Sequence, residues 1–310
     1  RKKLDTEITY VMTQQNEENY LSNLDAIVYP DNNLYLNDSL YIYCGSGCNE
    51  TCIYCAGSRD IYLEDFRRTN AFFRDPDLVR EDIKQLKKYT RKFMFDFSIP
   101  AEPQETYCFY YSVFSNIDLS KHLCCFYFWY IPDEKFIRML SETFHHVQIH
   151  IDIPSLSESY RFTHSVNSPW KQYSNQDIVE AVSRCNKYEN IDVYVDTVAG
   201  LPSYHDQHYQ EGEQLIVLLN QVGKNFRGVT WERLHAQPGA AVAEHSNRFN
   251  MHSEATTFTD YLEFSRQNLD AEKYPQIENL YYPCVVPAAS EKQSDISQHF
   301  ISLNEKMTAV

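Results

Sequence analysis

The sequence predicts a parallel α/β fold, in which six strands form a sheet that is either open or curled into a partial (β/α)6 barrel, like part of a TIM barrel. Segments with β-strand character alternate with segments of helical periodicity between residues 36 and 250. A hydrophobic content of 43% in 310 residues is enough to bury a large core. In such a fold, ligand sites gather beyond the carboxyl ends of the strands.

The predicted strands are short runs rich in β-branched and aromatic residues. The fourth is the clearest, because apolar and polar residues alternate strictly along it and its polar side chains therefore share one face. In chain order the strands are predicted at Ser39–Tyr43, Phe93–Phe97, Leu123–Tyr130, Val147–Ile153, Ile191–Asp196 and Val229–Leu234.

The intervening helices are predicted from apolar residues at helical spacing and from start signals. One begins near Asp75 and ends in a basic stretch that suits the helix dipole. A second begins at 131–134 with Pro132 in its first turn. Ser174 and Asp177 form a capping box before a third, and a fourth covers about residues 210–222.

Three parts are expected along the chain. Residues 1–35 are polar, contain a turn signal and are predicted to be a leading segment or linker. Residues 36–250 form the core, and residues 251–310 form a C-terminal part with a helix near 257–268 and a tail.

Charge and hydropathy exclude several classes of partner. The chain has 28 basic and 43 acidic side chains, a net charge of −15, and such a surface repels phosphate backbones. We therefore expect neither nucleic acid nor a membrane as partner. No apolar run approaches the roughly 18 residues that cross a bilayer, and no signal-peptide core follows Arg1, so we expect a cytoplasmic protein.

The most informative segment is a cysteine loop directly after the first strand. Cys48, Cys52 and Cys55 follow the spacing Cys-x3-Cys-x2-Cys, and Tyr54 precedes the last of them. Three thiolates on one tight loop can hold three irons of a cubane cluster and leave the fourth iron open to an exchangeable ligand. With Cys44 as a fourth thiolate, the same loop could instead hold a zinc ion.

This loop resembles the signature of the radical S-adenosylmethionine (SAM) superfamily. The resemblance covers about residues 39–239 and implies that Cys48, Cys52 and Cys55 ligate a [4Fe-4S] cluster whose free iron binds SAM. It further implies reductive cleavage of SAM to a 5′-deoxyadenosyl radical, which abstracts hydrogen from a small-molecule or peptide substrate. An external donor such as flavodoxin or ferredoxin would supply the electron. The catalytic residues toward the substrate stay unassigned.

Further family elements imply contacts to SAM. Glu102 lies in Pro-Ala-Glu-Pro, where the family has Gly-Gly-Glu-Pro and holds the SAM amino group; both glycines are replaced here. Ser155, Ser157 and Arg161 match a stretch that contacts the SAM ribose and carboxylate. The two remaining candidates follow the fifth and sixth strands, in Gly-Leu-Pro and Gln-Pro-Gly elements, and are Gly200 and Gln237.

The Gly-Leu-Pro and Gln-Pro-Gly elements resemble those of cobalamin-associated members of the superfamily. This resemblance implies methyl transfer or ring formation with cobalamin, whose domain would lie upstream of Arg1 or on another chain. The alternative is a non-catalytic iron–sulfur or zinc module, in which the altered element around Glu102 no longer binds SAM.

Several other polar residues have two interpretations each. His150 and Asp152 face the same side of the fourth strand and either position a substrate or form a buried polar pair. Asp96 and Asp196 have the same two interpretations. The adjacent His145 and His146 are expected at an exposed helix end.

The other cysteines lie in apolar or helical contexts. They are predicted to act as small hydrophobic residues, with Cys284 also open to a contact with substrate or a second cofactor. The remaining members of this group are Cys108, Cys124, Cys125 and Cys185.

Overall fold

The structure, a computed structural model, describes residues 39–55, 71–95, 103–164, 173–204, 206–234, 239–253, 257, 259–260, 262 and 285–287. The predicted leading segment 1–35, Asp96, Cys284 and most of the predicted helix at 257–268 lie outside these residues.

Six parallel strands form the central sheet, and their order in the sheet is their order along the chain. The strands are β1 (Ser39–Ile42), β4 (Lys92–Phe95), β5 (Leu119–Phe128), β6 (Phe144–Asp152), β7 (Ile191–Ala199) and β8 (Phe226–Arg233). Two short strands, β2 (Gly45–Ser46) and β3 (Phe72–Phe73), pair antiparallel after β1, and β9 (Met251–Ser253) pairs with β10 (Val285–Pro287). The predicted fold class is confirmed.

Helices connect the sheet strands. They are α1 (Pro76–Leu86), α2 (Pro103–Phe114), α3 (Glu134–Thr143), α4 (Glu158–His164), α5 (Asn175–Cys185) and α6 (Asp206–Val222). A further helix, α7 (Ala241–Glu244), follows β8, and a 3-10 turn at Ser246–Phe249 follows α7. Because right-handed crossovers in sequential order place successive helices on one face, the other face of the sheet is left as the concave side of a partial barrel.

Burial along the strands agrees with this arrangement. In β6 the apolar residues are buried and the residues between them are half-buried or exposed. The buried face packs with the helices into one core, which contains residues such as Phe95, Phe126, Ile149, Val195 and Leu219. Period-two alternation therefore places His150 and its polar neighbours on the concave face.

Local signals explain where the helices begin. The capping box is present as predicted: Ser174 accepts from Asp177 N–H, and Asp177 accepts from Ser174 N–H. The second predicted helix is corrected, because Asp133 caps α3 by accepting from Phe136 N–H at 2.6 Å. Pro132 therefore precedes the cap and does not lie in the first turn.

A second correction concerns two histidines. His145 and His146 lie within β6 and not at a helix end, because β6 begins directly after α3, at Phe144. His145 is exposed, whereas His146 is half-buried on the same face as His150.

Candidate functional site

The cysteine loop lies at the carboxyl end of the edge strand β1. Cys44 follows β1 and is fully buried in the main core, where its thiol points to Ile42 O at 3.5 Å. Cys48, Cys52 and Cys55 are only partly buried. Gly47 has a φ of +97°, a left-handed conformation that glycine adopts without steric cost. The chain therefore turns away from the core between Cys44 and the three spaced thiols.

The outer side of the loop is anchored to β3. Backbone pairing joins β2 to β3, and Arg74 N–H donates to Cys44 O at 2.8 Å. The Arg74 side chain is almost fully buried; it donates to Tyr43 O at 2.9 Å and contacts Asp82 Oδ2 at 2.9 Å. Asn49 Oδ1 also accepts from Ala71 N–H at 3.1 Å.

The inner side of the loop is bonded to the segment that follows β8. Val242 N–H, in α7, donates to Ile53 O at 3.0 Å. A small apolar cluster, which we call the mouth cluster, packs around this bond; its buried members are Tyr160, Leu201, Leu234, Ala240, Val242 and Met251, with Ile53 and Tyr54 packed against them. The cysteine loop therefore links the ends of the two edge strands of the sheet.

The thiols of the loop influence one another. Burial, followed by the nearby Cys55 and Cys48 thiols, raises the pKa of Cys52 well above its usual value. Burial also raises the pKa of Tyr54, whose hydroxyl hydrogen-bonds Cys52 and lies close enough to Asp152 to interact with its charge. Glu50 N–H donates to Cys48 Sγ at 3.3 Å.

The donor set fits a cluster better than a single ion. Within the described part of the chain, no three His, Cys, Asp or Glu side chains converge closely enough to hold one metal ion. A cubane cluster binds each cysteine to a different iron, so its ligands need not meet at one point. Cys44, the fourth thiol that a zinc site would use, is buried in the core. Three partly exposed thiols on one loop are the donor set that a [4Fe-4S] cluster with an open iron requires.

Three rings form a stacked row on the concave face. His150 in β6 is paired in register with Tyr127 in β5 and Tyr194 in β7. Its ring centroid lies 4.5 Å from that of Tyr127 and 4.9 Å from that of Tyr194, close to the spacing between strands. The rings therefore stack along the direction of the strand hydrogen bonds and turn their edges toward the concave side.

His150 is held by a carboxylate and a thiol. Its Nδ1 lies 2.8 Å from Asp196 Oδ2, and its ring also hydrogen-bonds Cys125. Burial by itself would lower the pKa of His150, but the hydrogen bonds to Asp196 and Cys125 outweigh burial and raise it to about 9. The imidazole is therefore protonated at neutral pH. Asp152, the other half of the predicted pair, lies opposite Asp196 in the register.

The predicted SAM contacts after β6 lie in a buried network. Ser155 and Ser157 are almost inaccessible, and Ser157 Oγ donates to Glu211 Oε2 at 2.6 Å. Arg161 is fully buried; it donates to Ser155 O at 2.9 Å and to Asn175 Oδ1 at 2.8 Å. Burial lowers the pKa of Arg161 to about 10. Each residue thus has internal partners, and the predicted contacts with SAM stay predictions.

Of the other predicted contacts with SAM, one lies in the described part of the chain and two lie outside it. Gly200 directly follows β7 with a φ of +84°, and a side chain there would be strained. Glu102 and Gln237 lie outside the described residues.

Four of the cysteines predicted to be small hydrophobic residues lie in the described part of the chain. Cys124, Cys125 and Cys185 are buried as predicted, whereas Cys108 is exposed because it faces outward on α2.

Two site residues were not predicted. Glu211 accepts from Ser157 and from Ser159, and these hydrogen bonds outweigh its burial and lower its pKa. No sequence signal links it to serines more than 50 residues away. The sequence predicts Cys125 only as a small hydrophobic residue. Alternation along β5 places it on the opposite face from its neighbour Cys124, which packs in the main core.

Comparison with protein-family models and with curated proteins finds no match. Comparison with solved structures finds similar chains, among them the crystal structure of HydG, a maturase of the [FeFe]-hydrogenase. HydG is 11% identical, with a TM-score of 0.44 over 73% of this chain and 50% of its own. This chain therefore spans about half the length of HydG. No helix among the described residues is long and apolar enough to span a bilayer.

Proposed function

We propose that the chain is a radical SAM enzyme in which Cys48, Cys52 and Cys55 ligate a [4Fe-4S] cluster. The observation that carries this proposal is the position of the three-thiol loop at the carboxyl end of β1, bonded through Ile53 to Val242 after β8. This position faces the strand ends, where ligands of parallel α/β folds bind. When bound, the cluster and SAM supply a 5′-deoxyadenosyl radical for hydrogen abstraction.

The chain's own residues would position and shield this chemistry. Tyr54 donates a hydrogen bond to Cys52 and so favours the thiolate. The mouth cluster covers the inner side of the loop and keeps water from it. Below the loop, Asp152, His150 and Asp196 offer charged groups to a substrate on the concave face.

The resemblance supports further roles. Glu102 and Arg161, with Ser155, Ser157, Gly200 and Gln237, are the proposed contacts to SAM, and a flavodoxin or ferredoxin is the proposed electron donor. A small molecule or peptide is the proposed substrate, with methyl transfer or cyclisation as the outcome if a cobalamin domain accompanies this chain.

Anaerobic reconstitution with iron and sulfide tests the proposal. We expect about four irons per chain, a brown absorbance, and release of 5′-deoxyadenosine from SAM that depends on dithionite. Cys48→Ser, Cys52→Ser and Cys55→Ser should each lose the absorbance. The matched control is Cys124→Ser, since this thiol is buried in the core and should leave iron loading unchanged.

Two outcomes would overturn the proposal. A colourless chain that binds one zinc ion would favour the zinc module. A four-iron chain that does not cleave SAM would favour a non-catalytic iron–sulfur module.

A further inference from the structure

Strands β6 and β7 carry the same His–Asp pair twice on the concave face. His146 Nε2 lies 2.9 Å from Asp192 Oδ2, and His150 Nδ1 lies 2.8 Å from Asp196 Oδ2. The second pair lies four residues further along both strands, toward their carboxyl ends. The two aspartates thus have the same kind of partner on one oxygen.

The two pairs differ at the other carboxylate oxygen. Asp192 Oδ1 accepts from Arg227 Nε at 2.6 Å, so both of its oxygens are satisfied. Asp196 Oδ1 is buried and has no hydrogen-bond partner among the described residues. A buried carboxylate oxygen without a donor is unfavourable, because it has lost its hydration without gaining a replacement. Asp196 Oδ1 is therefore an acceptor that calls for a donor from outside the described residues.

The position of this acceptor is that of a ligand site. Asp196 lies three residues before the end of β7, on the end of the sheet where the cysteine loop is placed. Asp152, opposite Asp196, lies close enough to Tyr54 in the loop for its charge to disfavour ionisation of the Tyr54 hydroxyl. The side chains of His150 and Asp196 retain 16% and 11% of their accessible surface, so the pair is not sealed in the core, although Oδ1 itself is covered.

The charges around the acceptor favour a cationic donor. Asp152 and Asp196 face each other across neighbouring strands, where two like charges repel. His150 compensates Oδ2 of Asp196 from one side and has Cys125 as its other partner. An ammonium group supplies both the missing hydrogen bond to Oδ1 and a positive charge between the two carboxylates, whereas a hydroxyl group supplies only the hydrogen bond.

We propose that Asp196 Oδ1 binds the protonated amine of the substrate, while His150 positions the Asp196 carboxylate through Oδ2. The substrate class is then an amine-bearing molecule, such as an amino compound or a peptide with a free amine. This inference names the substrate of the proposed radical chemistry and in that sense rests on the proposed function, but the binding itself needs no cluster.

The test uses the full chain without cluster and follows the ring resonances of His150 by NMR. The probes are n-butylammonium chloride and, as its neutral counterpart, n-butanol. We expect saturable shifts with n-butylammonium, with a Kd of about 1–50 mM, and a lower pKa of His150 in the complex, because a second cation lies beside it. Butanol should bind at least about tenfold more weakly, the factor that about 1.4 kcal/mol represents.

The matched variants are Asp196→Asn and Asp192→Asn. Asp196→Asn should weaken n-butylammonium binding at least about tenfold, and Asp192→Asn should leave it unchanged, since Arg227 already occupies that carboxylate. Asp152→Asn is a second variant that keeps the His150–Asp196 bond, and it should also weaken binding. Equal binding of butanol, or an equal response in Asp196→Asn and Asp192→Asn, would overturn the inference.

Cluster loading of the same variants separates this inference from the proposed function. Amine binding that fails while four irons are still loaded contradicts the inference alone. Amine binding that persists in a chain unable to load the cluster contradicts the proposed function alone.

Discussion

Arg74 Nη1 lies 2.9 Å from Asp82 Oδ2, and the same guanidinium nitrogen donates to Tyr43 O at the end of β1. Arg74 therefore fixes the point at which the chain leaves the sheet for the cysteine loop. Because its side chain is only 1% exposed, these interactions occur in a poorly hydrated environment.

The first prediction concerns this anchor. Arg74→Met removes the cation from a buried pair and leaves the Asp82 carboxylate and Tyr43 O without that partner, so we expect a loss of about 2 to 4 kcal/mol of unfolding free energy. Urea unfolding measures it. The reconstituted variant should also retain less iron, because the loop loses its outer anchor.

The matched control for Arg74→Met is Lys84→Met. Lys84 pairs with Glu81 on the exposed face of α1, and such a pair contributes about 0.5 kcal/mol or less. Equal destabilisation by the two variants would contradict the anchoring role of Arg74.

A second prediction concerns Tyr54. Its hydroxyl donates to Cys52, and a hydrogen bond to a ligand sulfur stabilises the reduced, more negative cluster. Tyr54→Phe removes one hydrogen bond of about 1 kcal/mol and should lower the one-electron reduction potential by about 40 mV. Potentiometric titration followed by EPR measures the shift.

The control for Tyr54→Phe is Tyr204→Phe, which changes a phenol whose hydroxyl bonds Ser155 and His208 O and not the thiols. The one-electron reduction potential of the cluster in Tyr204→Phe should equal that in the unaltered chain. An unchanged reduction potential in Tyr54→Phe would show that the Tyr54 hydroxyl does not hydrogen-bond to Cys52 Sγ when the cluster is present.

Part of this site was predictable from local pattern. Strict alternation along 147–153 places His150 and Asp152 on one face, and cysteine spacing after a strand places three thiols at a strand end. Each conclusion depends on residues within about ten positions of one another, where period and spacing carry the information.

The remaining parts depend on contacts distant in the chain. The partner of His150 is Asp196, 46 residues away, and the register of two neighbouring strands decides which polar residues meet. No helix is predicted at α2, although its buried residues, among them Tyr107, Phe109 and Tyr110, lie on one face at helical spacing. Tyr and Phe are also frequent in strands, so the local pattern does not select a helix there.

A third prediction separates a structural role of Ser157 from contact with SAM. Ser157 Oγ accepts from Tyr160 N–H at 3.1 Å in the first turn of α4 and donates to Glu211 Oε2. Ser157→Ala removes both bonds and should cost about 1 to 2 kcal/mol of unfolding free energy in the absence of SAM. The pKa of Glu211 should rise toward its usual value, since one of the bonds that lower it is lost.

The control for Ser157→Ala is Ser112→Ala, which removes an exposed hydrogen bond to Cys108 O within α2. We expect this variant to change unfolding free energy by about 0.5 kcal/mol or less. If Ser157→Ala is as stable as Ser112→Ala but loses SAM affinity, the hydroxyl serves SAM and not the fold.

The fourth prediction is a pH dependence of stability. The pKa of His150 is about 9 in the folded chain and about 6.5 when unfolded, so the folded chain binds the extra proton between these values. Its contribution to stability is complete below pH 6.5 and is lost as pH rises toward 9. We expect unfolding free energy to fall by about 2 kcal/mol between pH 6.5 and pH 8.5.

Urea unfolding of the full chain at a series of pH values measures this loss. Burial raises the pKa of Cys124, and thiols of the unfolded chain are about half ionised at pH 8.5, so the part of the loss due to His150 is the difference between the unaltered chain and His150→Gln at each pH. His150→Gln removes the titrating group and Asp196→Asn removes the carboxylate that raises its pKa, so both variants should show a flatter profile. A profile of His150→Gln as steep as that of the unaltered chain would assign the pH dependence to another group. It would also show that the His150–Asp196 hydrogen bond of 2.8 Å does not stabilise the fold.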